Sequence, residues 1–281
     1  MKKLLTVIIV AAITLYGCND ESKPGERGSD QKEKVDTTKH LKDVVLEAPE
    51  KDQQTEEIAT RRAGRGKPPK PGDPVPPPPP PPPPVIKNGC ILIDFNGHQV
   101  TGTMWNSSGD FLCAPSGMNE DQEAWALQRV QAYFQLFSPY IIVTTDEALF
   151  NTYPGNKRMR CVVTTSWEWY ARVGGVSYIN SFNWYTNEPC FVFSSLVNFN
   201  QRTVADNIAH EVGHTFGNRH QSSYDENCVM ISSYNYGTSI SAPIMGASFN
   251  ADTALWAIGP NSLGCTIIQN DTAVIYNSLR K

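Results

Sequence analysis

Three of the chain's five histidines fall within His210-Glu211-Val212-Gly213-His214-Thr215-Phe216-Gly217-Asn218-Arg219-His220, at spacings that suit one shared cation. On an α-helix His210 and His214, four residues apart, project from the same face. Glu211 sits one step round that turn, where a carboxylate can orient a water and take its proton. Gly217 lets the chain leave the helix through a left-handed conformation, so that His220 can return as a third ligand. Three neutral nitrogens favour zinc. A chance H-E-x-x-H is expected in on the order of a few chains per thousand, and the added Gly217 and His220 make coincidence far rarer.

These residues need a helix, a turn behind it and a scaffold to hold both. The helix is expected from about Thr203. Ahead of it, Tyr140–Thr145, Arg160–Thr165, Val173–Ser181 and Cys190–Ser195 read as strands. An amphipathic helix is predicted over Glu120–Phe137 from the spacing of Ala124, Leu127, Val130, Ala132, Phe134 and Phe137, with Ser138-Pro139 as its stop. Cys90–Phe95 and His98–Trp105 flank Asn96-Gly97, a hairpin signal; on that reading Asp94 and Asn96 serve a turn rather than calcium, and His98 is a strand residue. Helices among strands predict an α/β (α+β) domain, a mixed sheet with helices packed on it. Pro243 and Gly246 bracket a tight turn, and a last helix is expected from about Asp271.

Composition divides the chain. Between Asn19 and Lys87 there is no Phe, Tyr or Trp, and 13 basic residues balance 13 acidic ones. Such a segment buries too little apolar surface to offset its ordering entropy, and the unbroken run Pro76–Pro84 favours an extended polyproline strut. From Asn88 onward, 9 Lys and Arg face 15 Asp and Glu, an acidic domain that argues against nucleic acid as a partner. Residues 88–281 suffice for one core. Residues 1–17 combine Lys2 and Lys3 with a short apolar run, a signal-peptide pattern too short to span a bilayer. Six cysteines besides Cys18 (Cys90, Cys113, Cys161, Cys190, Cys228 and Cys265) predict three disulfides in an exported domain, with fifteen pairings open. No Cys-His arrangement suggests a catalytic thiol.

The pattern H-E-x-x-H-x-x-G-x-x-H resembles the metzincin zinc metalloproteinases. That resemblance implies a zincin fold, with a twisted mixed sheet, an active-site helix and a C-terminal subdomain carrying a Met-turn. Ala242-Pro243-Ile244-Met245-Gly246 falls where the family has that turn, which would place Met245 beneath the three imidazoles. It implies zinc held by His210, His214 and His220, with Glu211 as general base of an endopeptidase, and a substrate taken in extended form along an edge strand, for which Val173–Ser181 is the candidate. Val173–Ser181 and the Ala-Pro-Ile-Met-Gly turn are most similar to the adamalysin (reprolysin-like) branch and nearby bacterial lipoprotein proteases, with departures at Gln221 and Ala247. Leu15-Tyr16-Gly17-Cys18 resembles a bacterial lipobox, which implies lipid attachment at Cys18 and an extracytoplasmic, membrane-anchored protein of the outer membrane or cell surface. The organisation expected is therefore a leader over 1–17, a disordered linker with its strut over 18–87, and a monomeric catalytic domain over 88–281. The competing reading is a catalytically silent surface binding module or adhesin of the same fold.

Overall fold

Strand β2 (Gly89–Asp94) is buried along its whole length, and its side chains alternate between two faces. Ile91 and Ile93 enter one apolar cluster while Cys90 and Leu92 enter another. A strand that is apolar on both faces must be covered on both, which is the habit of parallel strands inside α/β layers. The computed structural model describes Gly89–Lys281 and the backbone of Val44–Leu46. Accordingly, the expectations for residues 1–17, Cys18 and nearly all of 18–87 lie outside the described residues.

In chain order the elements are β1 (Val44–Leu46), β2, β3 (His98–Val100), β4 (Phe111–Cys113), α1 (Glu120–Phe134), β5 (Ile141–Thr144), α2 (Glu147–Asn151), β6 (Arg158–Thr164), β7 (Gly175–Tyr178), β8 (Cys190–Phe193) and α3 (Gln201–Phe216). A C-terminal part follows with β9 (Ser223–Tyr224), β10 (Met230–Ser232), β11 (Ser241–Pro243), β12 (Thr253–Leu255), β13 (Ile258–Asn261), β14 (Gly264–Asn270) and α4 (Asp271–Leu279). Five strands form a mixed sheet in the order β7-β8-β6-β2-β5, in which β8, β6, β2 and β5 run parallel and β7 runs antiparallel to β8. Val44–Leu46 adds a parallel strand outside β7. Four small two-stranded sheets complete the fold.

Helices α1 and α3 cover one face of the sheet. Ala126, Val130 and Phe134 of α1 and Val204, Ile208, Val212 and Phe216 of α3 join Ile91, Val143, Val163 and Val192 in one core. Burying each such side chain contributes on the order of 1.5–3 kcal/mol. Trp256 closes the cluster, donating its indole N–H to Tyr133 O at 2.9 Å. The opposite face is aromatic: Trp105, Trp169, Phe191 and Phe193 pack around Val162 and Val176. Both long helices are capped as their sequences suggest. Asn119 and Gln122 form a reciprocal capping box on α1, and the Asn200 side chain accepts from the amides of Arg202 and Thr203 at the start of α3.

Three expectations are corrected. Asn96-Gly97 does make a turn, with Gly97 at φ +89° and a Cβ there 2.6 Å from Cys113 O. It does not join a hairpin, because β2 already has β5 and β6 as neighbours and no free edge; β3 pairs with β4 instead. Nor are there three disulfides. Cys228 and Cys265 are bonded, whereas Cys90, Cys113, Cys161 and Cys190 are free and buried. Cys90 and Cys113 lie in separate clusters on the aromatic side of the sheet, and Cys161 and Cys190 meet as neighbours in register on β6 and β8. The predicted α1 ends three residues early, at Phe134, and continues to Phe137 as a 3-10 turn. Among the described residues no helix is long and apolar enough to cross a membrane.

Candidate metal centre

Helix α3 is buried from Val204 to Phe216, so every polar side chain on it needs a partner. Asp206 takes hydrogen bonds from the Tyr133 and Ser248 hydroxyls, and Thr215 donates to Val212 O at 2.7 Å. Burial raises the Asp206 carboxyl above its ordinary range, opposed by those two hydroxyl donors. His210 and His214 face the same way one turn apart, as their spacing predicts. The helix ends at Gly217, which is left-handed at φ +113°, and the chain then turns back to bring His220 against both. All three imidazoles are buried, and one ligand atom from each lies within 4.8 Å of the others.

The hydrogen bonds of the rings fix which nitrogens are left over. His210 Nδ1 is 2.6 Å from Ile244 O and His214 Nδ1 is 2.7 Å from Asn218 O. A carbonyl only accepts, so both Nδ1 atoms donate and both neutral rings turn a lone pair outward at Nε2. These two Nε2 atoms stand 3.0 Å apart. Two acceptors at that distance repel unless something positive lies between them. Tetrahedral zinc–imidazole bonds of about 2.0–2.1 Å separate their nitrogens by about 3.3–3.4 Å, close to what is seen. The donor set therefore fits a cation, and the two backbone carbonyls are the orienting partners such a site needs.

Glu211 is also buried, and its Oε2 accepts from Ser177 Oγ at 2.6 Å. Ser177 lies on β7, so the strand that runs antiparallel in the sheet also clamps the carboxylate. Gly175 of the same strand approaches it so closely that a Cβ would stand 2.6 Å from Glu211 Oε1 and 2.7 Å from its Cγ. Met245 is fully buried, and a Cβ on Gly213 would lie 2.5 Å from its Sδ, so Met245 sits directly under the histidine helix. Its turn closes through Gly246 N to Pro243 O at 3.0 Å, as Pro243 and Gly246 suggested. The same turn supplies Ile244 O to His210, and Met245 O accepts from Gln221 N at 2.7 Å, tying it to the residue after His220.

The sequence matches no family model and no curated protein.

Several supporting residues escaped the sequence reading. Tyr234 lies over His220 with ring centroids 4.3 Å apart. Gln221 donates to the buried Asp271 carboxylate at 2.8 Å, which also accepts from Gln269 and from Ala257 N. Burial raises the Asp271 carboxyl, and these donors oppose the rise. Ser177 left one trace, a hydroxyl in an otherwise apolar strand; Tyr234 and Asp271 left none, because their importance depends on loops folding back to the helix. Cys18 lies outside the described residues.

Proposed function

We propose that the chain is a zinc-dependent endopeptidase. The observation that carries this reading is the meeting of two unlike devices at one helix: three converged imidazoles, two of them with Nε2 lone pairs turned inward, and a buried carboxylate next to the first of them, held by a strand from the sheet. The donor set of three neutral nitrogens is of the kind that leaves zinc an open position, whereas closed structural zinc sites usually take four protein ligands. When bound, zinc supplies Lewis-acid polarisation of the scissile carbonyl and makes water nucleophilic near neutral pH.

The chain's own residues then have separate duties. Glu211 takes a proton from the attacking water as its oxygen bonds to the carbonyl carbon, and delivers that proton to the amide nitrogen as the C–N bond breaks, leaving a carboxylate and an amine. Ser177 keeps one oxygen of that carboxylate fixed. Ile244 O and Asn218 O hold the His210 and His214 rings in the tautomer that offers Nε2. The substrate is proposed to be an extended polypeptide outside the cytoplasm, met by a protein anchored through Cys18.

The test is metal analysis and peptide-library cleavage by the purified chain. Zinc at one equivalent with cleavage that a chelator abolishes supports the reading. Zinc without cleavage of any peptide favours the silent binding module.

A further inference from the structure

Strand β7 has two edges, one paired with β8 and the other turned outward. Its outward edge is taken by the chain itself, since Val44, Val45 and Leu46 run parallel to it in register with Val176, Ser177 and Tyr178. The middle pair matters most. Val45 stands beside Ser177, the residue whose hydroxyl holds Glu211, and adjacent strands are about 4.8 Å apart. A segment distant in sequence thus lies one strand away from the group assigned as general base.

The sequence explains why this stretch pairs and why the pairing stops. Between Asn19 and Lys87, Val44-Val45-Leu46 is the only run of three consecutive aliphatic residues. Lys42 and Asp43 precede it, Glu47 follows, and Pro49, which lacks an amide donor, stands three residues beyond Leu46. An open edge strand is a template for any extended chain, because its backbone groups pair irrespective of side chains. A three-residue strand is a short cover, and one that a longer peptide can displace.

We propose that Val44–Leu46 is a resident occupant of the β7 edge, a cover supplied in cis that an incoming extended peptide must displace before it can lie beside Glu211. The regulatory half of this inference rests on the endopeptidase reading; the pairing itself does not.

The experiment compares the full chain with its Val44→Pro/Val45→Pro double variant. Amides alternate in direction along a strand, so one of the two prolines removes the donor aimed at β7 whichever it is. Both substitutions fall on β1, outside β7 and α3. Hydrogen exchange at the Val176–Tyr178 amides is expected to quicken at least tenfold in the variant, and an added synthetic peptide of residues 40–50 is expected to slow it again. In peptide hydrolysis the variant is expected to show a KM several-fold lower at unchanged kcat. Equal exchange in the two proteins overturns the occupancy. Faster exchange with an unchanged KM overturns the screening role. Faster exchange with no hydrolysis by either protein upholds the pairing and overturns the endopeptidase reading together with the regulation built on it.

Discussion

Replacing Gly175 by alanine places one methyl group where Glu211 now is. The new Cβ would stand 2.6 Å from Glu211 Oε1, 2.7 Å from Glu211 Cγ and 2.8 Å from Phe191 O, all well inside the roughly 3.5–4.0 Å of a comfortable contact. Phe191 O belongs to the central sheet and cannot retreat, so the glutamate side chain must swing away and give up its bond from Ser177. Overpacking costs about 1–3 kcal/mol, and a lost hydrogen bond to a charged group about 1.5–3 kcal/mol. The stiffer unfolded chain returns about 0.4–1 kcal/mol. Net destabilisation should be about 2–5 kcal/mol, a fall in Tm of roughly 4–20 °C for a domain of this size. Misplacing the base should lower kcat by about 10² or more while metal content stays the same. Urea unfolding, metal analysis and hydrolysis are measured on the same preparation. Gly264→Ala is the control, because its Cβ meets only Ile267 Cγ1 at 3.6 Å. A Gly175→Ala protein with wild-type stability and rate would refute the placement of Glu211 against β7.

Three further outcomes are expected. His214→Ala should lose bound metal and activity together while keeping its far-ultraviolet circular dichroism; retention of a full equivalent of metal would contradict the site. Asp206 has a folded-state pKa raised by burial above its unfolded value near 3.9, so the native state binds the extra proton between the two values. Its stabilising contribution is complete below the unfolded value and is lost as pH rises through the folded one. The unfolding free energy of wild type relative to Asp206→Asn should therefore increase as pH is lowered through the folded value, and a constant difference would contradict this. Among the described residues, the four free thiols should resist a thiol reagent in the native state, since burial pushes Cys90 up to about 11 and Cys113 up to about 12, and all four should react on unfolding, with one disulfide shown by mass. Three disulfides by mass would overturn the structural assignment.

The site was legible wherever chemistry depends on short spacing. His210 and His214 are set by the helical repeat, Gly217 by its freedom at positive φ, and the turn at Pro243–Gly246 by its two flanking residues. Strand positions were legible too, because β5 and β8 are almost wholly apolar and β6 carries the apolar run Cys161-Val162-Val163. Pairing was not. Asn96-Gly97 signals a turn, but which strand receives the chain afterwards depends on which edges are free, and β2 has none. Cysteine parity could not show that Cys161 and Cys190 lie side by side in the core while Cys90 and Cys113 are separated from them by the sheet. The Ser177 clamp joins residues 34 positions apart, and that separation carries no periodic signal.

The account stands most directly on the division of labour between Glu211 and the three histidines. Glu211→Gln keeps the shape of the side chain and an amide in place of the carboxylate, but cannot accept the proton. Metal content and peptide hydrolysis are measured on this variant beside wild type. The account predicts one equivalent of metal in both, and a rate lowered by about 10²–10⁴ or more in the variant. Hydrolysis by Glu211→Gln at the wild-type rate would contradict it.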